Sequence, residues 1–180
     1  MRHPLRLAAL AIVAAALAAG CGEGRAIFNI DAYSFLVGEV DTVHYAAPPI
    51  IGSYDTTTTP VEVSMLAGLG ESNVDTVYID ATANLLNTSG NADILLEFYF
   101  AADSASVYSG APHFVATGSV NGAQTVPIGA NVELTDALFS EPTLWVGIRV
   151  GITNNAAAVV DGRAAVTGLD LRIVLNDQVF

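Results

Sequence analysis

From Ala26 onward the chain alternates oily and polar side chains residue by residue, and nowhere keeps a helical apolar period for more than a turn or two. Between Val74 and Leu86, Val77, Ile79, Ala81, Ala83 and Leu85 fall on one side, while Thr76, Asp80, Thr82 and Asn84 fall on the other. Asp93 to Ala101 repeats the pattern with Ile94, Leu96, Phe98 and Phe100, and Thr143 to Val160 with Leu144, Val146, Ile148, Val150 and Ile152. Arg163 to Leu175 does so with Leu169, Leu171, Ile173 and Leu175. A period of two buries one face of a strand and wets the other, so the expected fold is all-β: an antiparallel β-sandwich, immunoglobulin-like or jelly-roll-like, of eight or nine short strands.

Turn chemistry between these runs predicts three hairpins. Asn87-Thr88-Ser89-Gly90-Asn91-Ala92 would join the first pair, with Leu86 facing Asp93 and inward pairs Leu85–Ile94, Ala83–Leu96, Ala81–Phe98 and Ile79–Phe100. Asn121-Gly122 would join His113–Val120 to Ala123–Ile128, and Asp161-Gly162 would join the last two runs. For the last, a tight turn sets Ile152 against Leu171, whereas a bulge near Asn154-Asn155 sets Arg149 opposite Asp170; the tight turn is the favoured register. Further strands are expected at Ala26–Val37, Thr42–Tyr45 and Val61–Leu66, with a helical turn at Thr135–Phe139 capped by Thr135. Ala46 to Pro60, with Pro48-Pro49 and a Thr-rich run ending in Pro60, reads as a long loop.

The start is of another kind. Arg2 and Arg6 precede an uncharged apolar run from Leu7 to Ala19, too short to span a bilayer as a helix, and this reads as an export signal. The run ends at Leu17-Ala18-Ala19-Gly20-Cys21, which holds the sole cysteine. This stretch resembles the lipobox of bacterial lipoproteins, although Leu17 stands four rather than three residues before Cys21, with Ala18 in the usual leucine slot. The resemblance, which covers only the first 21 residues, implies a lipoprotein signal peptide over 1–20 and lipidation of Cys21; a tether over 21–25 and the sandwich domain over 26–180 are expected to follow. Acyl chains on sulfur and amine together give a durable membrane anchor. Gly22 in place of Asp implies outer-membrane sorting if the host is Gram-negative. The alternative is cleavage at Ala16-Leu17-Ala18, which leaves Cys21 a free thiol. The segment 77–101 also resembles the strand-turn-strand core of CARDB-type bacterial immunoglobulin-like adhesion domains, a resemblance that carries no functional residue.

Charge narrows the partners. The chain has 18 acidic and 6 basic residues and no lysine, a net charge of −12. Such a surface repels polyphosphate, which excludes sequence-independent nucleic-acid binding. No Gly-x-Ser-x-Gly elbow occurs, and the histidines outside the leader, His44 and His113, read as structural. A lone cysteine and dispersed histidines give no zinc site. Asn87, Ser89, Asn91 and Asp93 alternate like calcium-loop ligands, but Gly90 is misplaced and Phe98 occupies the closing-carboxylate position, so neither metal nor cofactor is expected. Asp80 and Glu97 are expected as polar neighbours on one outer face rather than as a catalytic pair. Tyr78 and Tyr99, diagonal neighbours in the first predicted register, and Trp145 point away from the apolar stripe. They are the candidate ligand-binding aromatics. The function expected is thus a non-enzymatic, lipid-anchored structural, adhesive or partner-binding module of the cell envelope, its partner an envelope protein or a glycan. A carbohydrate-binding module using Trp145, Tyr78 and Tyr99 is the alternative, and a small envelope hydrolase the third.

Overall fold

A computed structural model describes residues 24–38, 40–65 and 73–177; Cys21 and the leader lie outside them. Among the described residues ten strands form: β1 (Gly24–Asp31), β2 (Thr42–Ala47), β3 (Gly52–Thr57), β4 (Val61–Ser64), β5 (Asn73–Ser89), β6 (Asn91–Ala101), β7 (Phe114–Asn121), β8 (Gln124–Leu134), β9 (Thr143–Asn154) and β10 (Val160–Asp177). A single helical turn, α1 (Tyr33–Leu36), follows β1. All pairings are antiparallel.

The first sheet runs β1-β10-β5-β8, with β2 continuing along the β10 edge that β1 leaves free; the second runs β3-β9-β6-β7, with β4 likewise beside β9. Counting β1 with β2 and β3 with β4 as broken strands, the ten segments fill eight positions. Between these positions the chain crosses from sheet to sheet at every turn except that from β6 to β7, which pair within the second sheet, and this order is a jelly roll.

The alternating faces are where the sequence puts them. Val77, Ile79, Ala81, Ala83 and Leu85 of β5 are buried, as are Ile94, Leu96, Phe98 and Phe100 of β6 and Leu144 to Ile152 at every second position of β9. A bulge between Val166 and Gly168 shifts the inward parity of β10, so that Ala164 and Val166 before it and Leu169, Leu171, Ile173 and Leu175 after it face the core.

None of the three predicted hairpins forms. Leu85 of β5 pairs with Ala164 and Val126, whereas Ile94 of β6 pairs with Gly118 and Ile152, so β5 and β6 belong to opposite sheets. The same holds for β7 with β8 and for β9 with β10. Asp161-Gly162 lies inside β10 at a bulge, and residues 155–159 make the crossing instead. Ile152 therefore faces Tyr54 and Ile94 rather than Leu171, and Arg149 faces Glu97 rather than Asp170. Each connection is an arch: its two strands point their oily faces at one another across the core instead of sharing one side of a sheet. The side-chain pattern is identical in both cases, so alternation alone could not separate them.

Smaller corrections have local causes. The first strand begins at Gly24, inside the expected tether, and stops at Asp31, whose side chain accepts from Ser34 N (3.2 Å) at the start of the helical turn. The expected loop over 46–60 contains β3, because Pro48, Pro49 and Pro60 flank its six residues without interrupting them. The turn near 137 is a 3-10 helix over Ala137–Ser140 capped by Asp136, whose Oδ1 accepts from Leu138 N at 2.9 Å, not by Thr135.

Two glycines and one asparagine hold the arches. Gly90 (φ +80°) and Gly122 (φ +68°) occupy the left-handed region, and Gly122 N donates to Gly90 O at 2.8 Å. The buried Asn87 Nδ2 lies within donating distance of Ser89 O (3.0 Å), Gly90 O (3.1 Å) and Gly122 O (2.7 Å), and its Oδ1 accepts from the Tyr45 hydroxyl at 3.1 Å. One side chain thus ties the two neighbouring crossings together. With its amide so engaged, Asn87 is not available as the first ligand of a calcium loop. Among the described residues no group of three or more His, Cys, Asp or Glu side chains is placed to hold a metal ion.

Candidate functional site

The three aromatic candidates do not share a surface. Tyr78 stands on the outer face of the first sheet, whereas Tyr99 and Trp145 stand on the outer face of the second. The diagonal contact expected between Tyr78 and Tyr99 belonged to the hairpin that does not form. Asp80 and Glu97 part for the same reason.

Tyr99 is fully buried. The segment between β6 and β7 folds back over the second sheet, held in shape by Asp103, whose carboxylate accepts from Ala105 N, Ser106 N and Ser106 Oγ at 3.0, 3.0 and 2.8 Å. Val107 and Tyr108 of this segment settle onto Gly147, where a Cβ would approach the Tyr108 ring to 2.7 Å. Tyr108 then meets Tyr99 edge-on at 5.2 Å, and its hydroxyl donates to Thr58 O at 2.8 Å. Trp145 is half-buried against this cluster. Below it, Glu97 forms an ion pair with Arg149 and accepts from the Tyr99 hydroxyl at 3.1 Å, and the Arg149 guanidinium sits 5.1 Å from the Tyr99 ring centre. Burial, then the hydrogen bond to Glu97, pushes the Tyr99 hydroxyl up to about 12. Glu97 raises the Arg149 pKa. No buried side-chain nitrogen or oxygen in this cluster lacks a hydrogen-bond partner, and the cluster covers this end of the outer face. The sequence held one signal of the cover: Gly147, a glycine in the middle of an apolar strand, marks a close approach of other chain.

The outer face of the first sheet is open. A groove of about 730 Å³ crosses four strands there. Two cross-strand rows line it: Asn29–Arg172–Tyr78–Glu133, and Asp31–Asp170–Asp80–Asn131, each reading from β1 through β10 and β5 to β8. All eight side chains are exposed, Tyr78 to 40%. The Arg172 guanidinium lies 5.5 Å from the Tyr78 ring centre and is in no salt bridge among the described residues. The sequence could mark these side chains as outward but not as neighbours, since their assembly depends on β1, β10, β5 and β8 lying side by side.

This arrangement offers four carboxylates, two amides, one phenol and one cation to a polar partner. It holds no hydroxyl–histidine pair of the kind nucleophilic catalysis uses.

A second, smaller depression on the same face, about 550 Å³, includes His44, Arg163, Thr88 and Asp161. Thr88 Oγ1 donates to both the carboxylate and the carbonyl of Asp161, at 2.6 and 2.9 Å, which fastens the β10 bulge. His113 lines neither groove. Its Nδ1 accepts from Phe100 N at 3.2 Å, and burial, only partly opposed by Asp136, lowers its pKa. No helix among the described residues is long and apolar enough to cross a membrane.

The chain matches no protein-family model and no curated protein. Among solved structures it is similar to chains from infectious bursal disease virus. For the Gt strain the TM-score is 0.49 at 7% identity, over 87% of this chain and 34% of that one. For the Gx strain the TM-score is 0.47 at 7% identity, over 87% and 33%. The chain thus spans about a third of the length of those viral chains. It is also similar to TmCBM61, solved in complex with beta-1,4-galactotriose, with a TM-score of 0.26 at 13% identity over 84% of this chain and 83% of that one. At such identities and scores, neither what the viral chains assemble into nor what TmCBM61 binds carries over to this chain.

Proposed function

We propose that this chain is a non-enzymatic binding module of the bacterial cell envelope, exported by its leader, held to a membrane through lipid on Cys21, and engaging its partner with the open face of the first sheet. The observation that carries the reading is the asymmetry of the two outer faces. The second sheet is covered at Tyr99 and Trp145 by its own Val107 and Tyr108, whereas the first sheet keeps a four-strand groove open around Tyr78. The leader pattern from Arg2 to Cys21 supports the tether, and Gly22 supports outer-membrane sorting in a Gram-negative host.

Two experiments test the parts separately. Intact-mass analysis and membrane fractionation of the wild type and Cys21→Ala test the tether: loss of an acyl mass and release from the membrane are expected, and an unchanged mass and location would refute it. A photo-crosslinking residue placed at Tyr78, compared in living cells with one at Thr117 on the second sheet's outer face, tests the groove. Adducts confined to position 78 are expected, and equal labelling from both positions, or none, would reject the groove as the binding face.

A glycan as the partner is the second reading. What favours it is narrower than three rings: a single exposed aromatic, Tyr78, flanked in the groove by the amides of Asn29 and Asn131. Glycan-array binding that Tyr78→Ala abolishes and Trp145→Phe leaves intact would establish it.

A further inference from the structure

The free edge of the first sheet carries an observation independent of what the groove binds. Strand β1 pairs with β10 over all eight of its residues without a bulge, and among the described residues it pairs on that side only. Exposed edges are templates for further strands, and natural chains blunt them with proline, lysine, bulges or brevity. The opposite edge strand, β8, carries the exposed Pro127, and β7 lies against it at the corner. Strands β3 and β4 are short, with Asp55 and Glu62 exposed. Strand β1 is longer than either, and its charged side chains, Arg25 and Asp31, stand only near its two ends. It has no proline, no lysine and no bulge, and its Ile27 is 51% exposed on the outer side.

We propose that two copies of this chain pair antiparallel along β1, related by a two-fold axis through Phe28. In an antiparallel ladder, residues directly opposite lie on the same face, so only registers that match inward with inward side chains are allowed. Ala26, Phe28 and Ile30 are the half-buried positions of β1, and Arg25, Ile27, Asn29 and Asp31 the exposed ones. Centred on Phe28, the allowed register sets Phe28 against the second copy's Phe28 and Ala26 against its Ile30. On the outer face, Ile27 meets Asn29, and the strand's one cation, Arg25, meets the second copy's Asp31 twice over, once on each side of the axis. A shift of the axis by one residue, to Ile27 or to Asn29, keeps the faces but loses both ion pairs. Arg25 is free to make the change: its present partner, Asp75, is 3.8 Å away and the Arg25 side chain is 68% exposed. The match is notable in a chain of net charge −12, whose copies otherwise repel one another. Because Asn29 and Asp31 belong to the groove, pairing joins the two grooves side by side on one continuous sheet.

Sedimentation equilibrium of the full chain in density-matched detergent, over a range of protein concentrations, tests the proposal. The wild type should form a dimer. Arg25→Glu and Asp31→Arg should each weaken it about tenfold or more, since two attractive cross-strand pairs become two repulsive ones. The double variant R25E/D31R restores the opposite charges in exchanged positions and should recover the wild-type dimer, while circular dichroism confirms that all three variants fold. Ile27→Lys, an edge lysine, should also give monomer. A monomeric wild type throughout, or a dimer indifferent to both single exchanges, overturns the proposal. Single exchanges that disrupt a dimer the double variant does not recover overturn the Phe28-centred register.

Discussion

Replacing Gly90 with alanine should damage the fold far more than replacing Gly122, although both sit in left-handed turns that follow an asparagine-containing signal. At φ +80° and φ +68° the backbone term is nearly the same: about 1–2 kcal/mol against any residue with a Cβ, less about 0.4–1 kcal/mol for the stiffer unfolded chain. The surroundings differ. A Cβ on Gly122 would meet nothing within 4 Å, whereas one on Gly90 would stand 2.8 Å from Val160 Cα and 2.9 Å from Val160 Cγ2, and closer still to the Val159 carbonyl oxygen. Comfortable carbon separations are roughly 3.5–4.0 Å, so the start of β10 would have to withdraw by about 1 Å. Backbone cannot swing aside as a side chain can, and that withdrawal strains the bonds from Ser89 Oγ to Val159 O and from Asn87 to Gly90 O. Overpacking of this kind costs about 1–3 kcal/mol. Gly90→Ala should therefore cost about 3 kcal/mol in total and Gly122→Ala about 1 kcal/mol or less, a gap of about 2 kcal/mol. Urea unfolding of the two variants followed by circular dichroism, with unchanged slope, measures both. Equal losses within about 0.5 kcal/mol would falsify the view that the crossing at Gly90 is pressed against β10.

Three other outcomes follow from the same geometry. Glu97→Ala should cost about 3 kcal/mol by urea unfolding because it strands the Arg149 guanidinium, whereas the paired change E97L/R149L should cost less than the single one; a double variant worse than the single would show that the ion pair is net stabilising. Burial, with Asp161 adding to it, pushes Tyr45 up to about 12, as burial and Glu97 do for Tyr99, both above an unfolded value of 10.0. The folded state thus holds these protons longer than the unfolded one: their stabilisation is complete below about pH 10 and is lost as pH rises through about 12. Tyrosinate absorbance should show both groups ionising together with unfolding, and Tyr99→Phe should remove one share; smooth ionisation of both in a folded protein near pH 10 would refute it. Asp80 stands directly opposite Asp170 in the groove row, so Asp80→Asn should raise stability by about 0.5 kcal/mol at low salt and by nothing at about 1 M salt, where such repulsion is screened.

How much of this was legible in the residues is a question of which physics each residue records. Burial writes itself into the sequence: Ile79, Leu85, Phe98, Ile148 and Leu171 each face the core as their alternation requires. Hydrogen-bond partnership does not, because Leu85 needs an apolar surface opposite it whether that surface belongs to its own sheet or to the facing one. The bland composition of β3 hid it, since an edge strand pairing only with β9 can be built from Ser53, Tyr54 and threonines without a buried stripe. Tyr78, Tyr99 and Trp145 were rightly placed outside the core layer, but outside a sheet is not the same as open to solvent. Only the packing of Val107 and Tyr108 on Gly147 separates the covered pair from the exposed ring.

The wrapping of the chain also sets an order of events. Arg25 in the first strand lies beside Asn176 in the last, and no pair of strands joined by one of the three arches bonds to each other. Among the described strands β6 and β7 alone pair as chain neighbours; every other segment finds its partners further along the chain, and structures built from such distant pairings close slowly, in roughly milliseconds to seconds. The opening strand must wait for the closing one. Until β10 is in place, neither β1 nor β2 has a strand among those described to bond to.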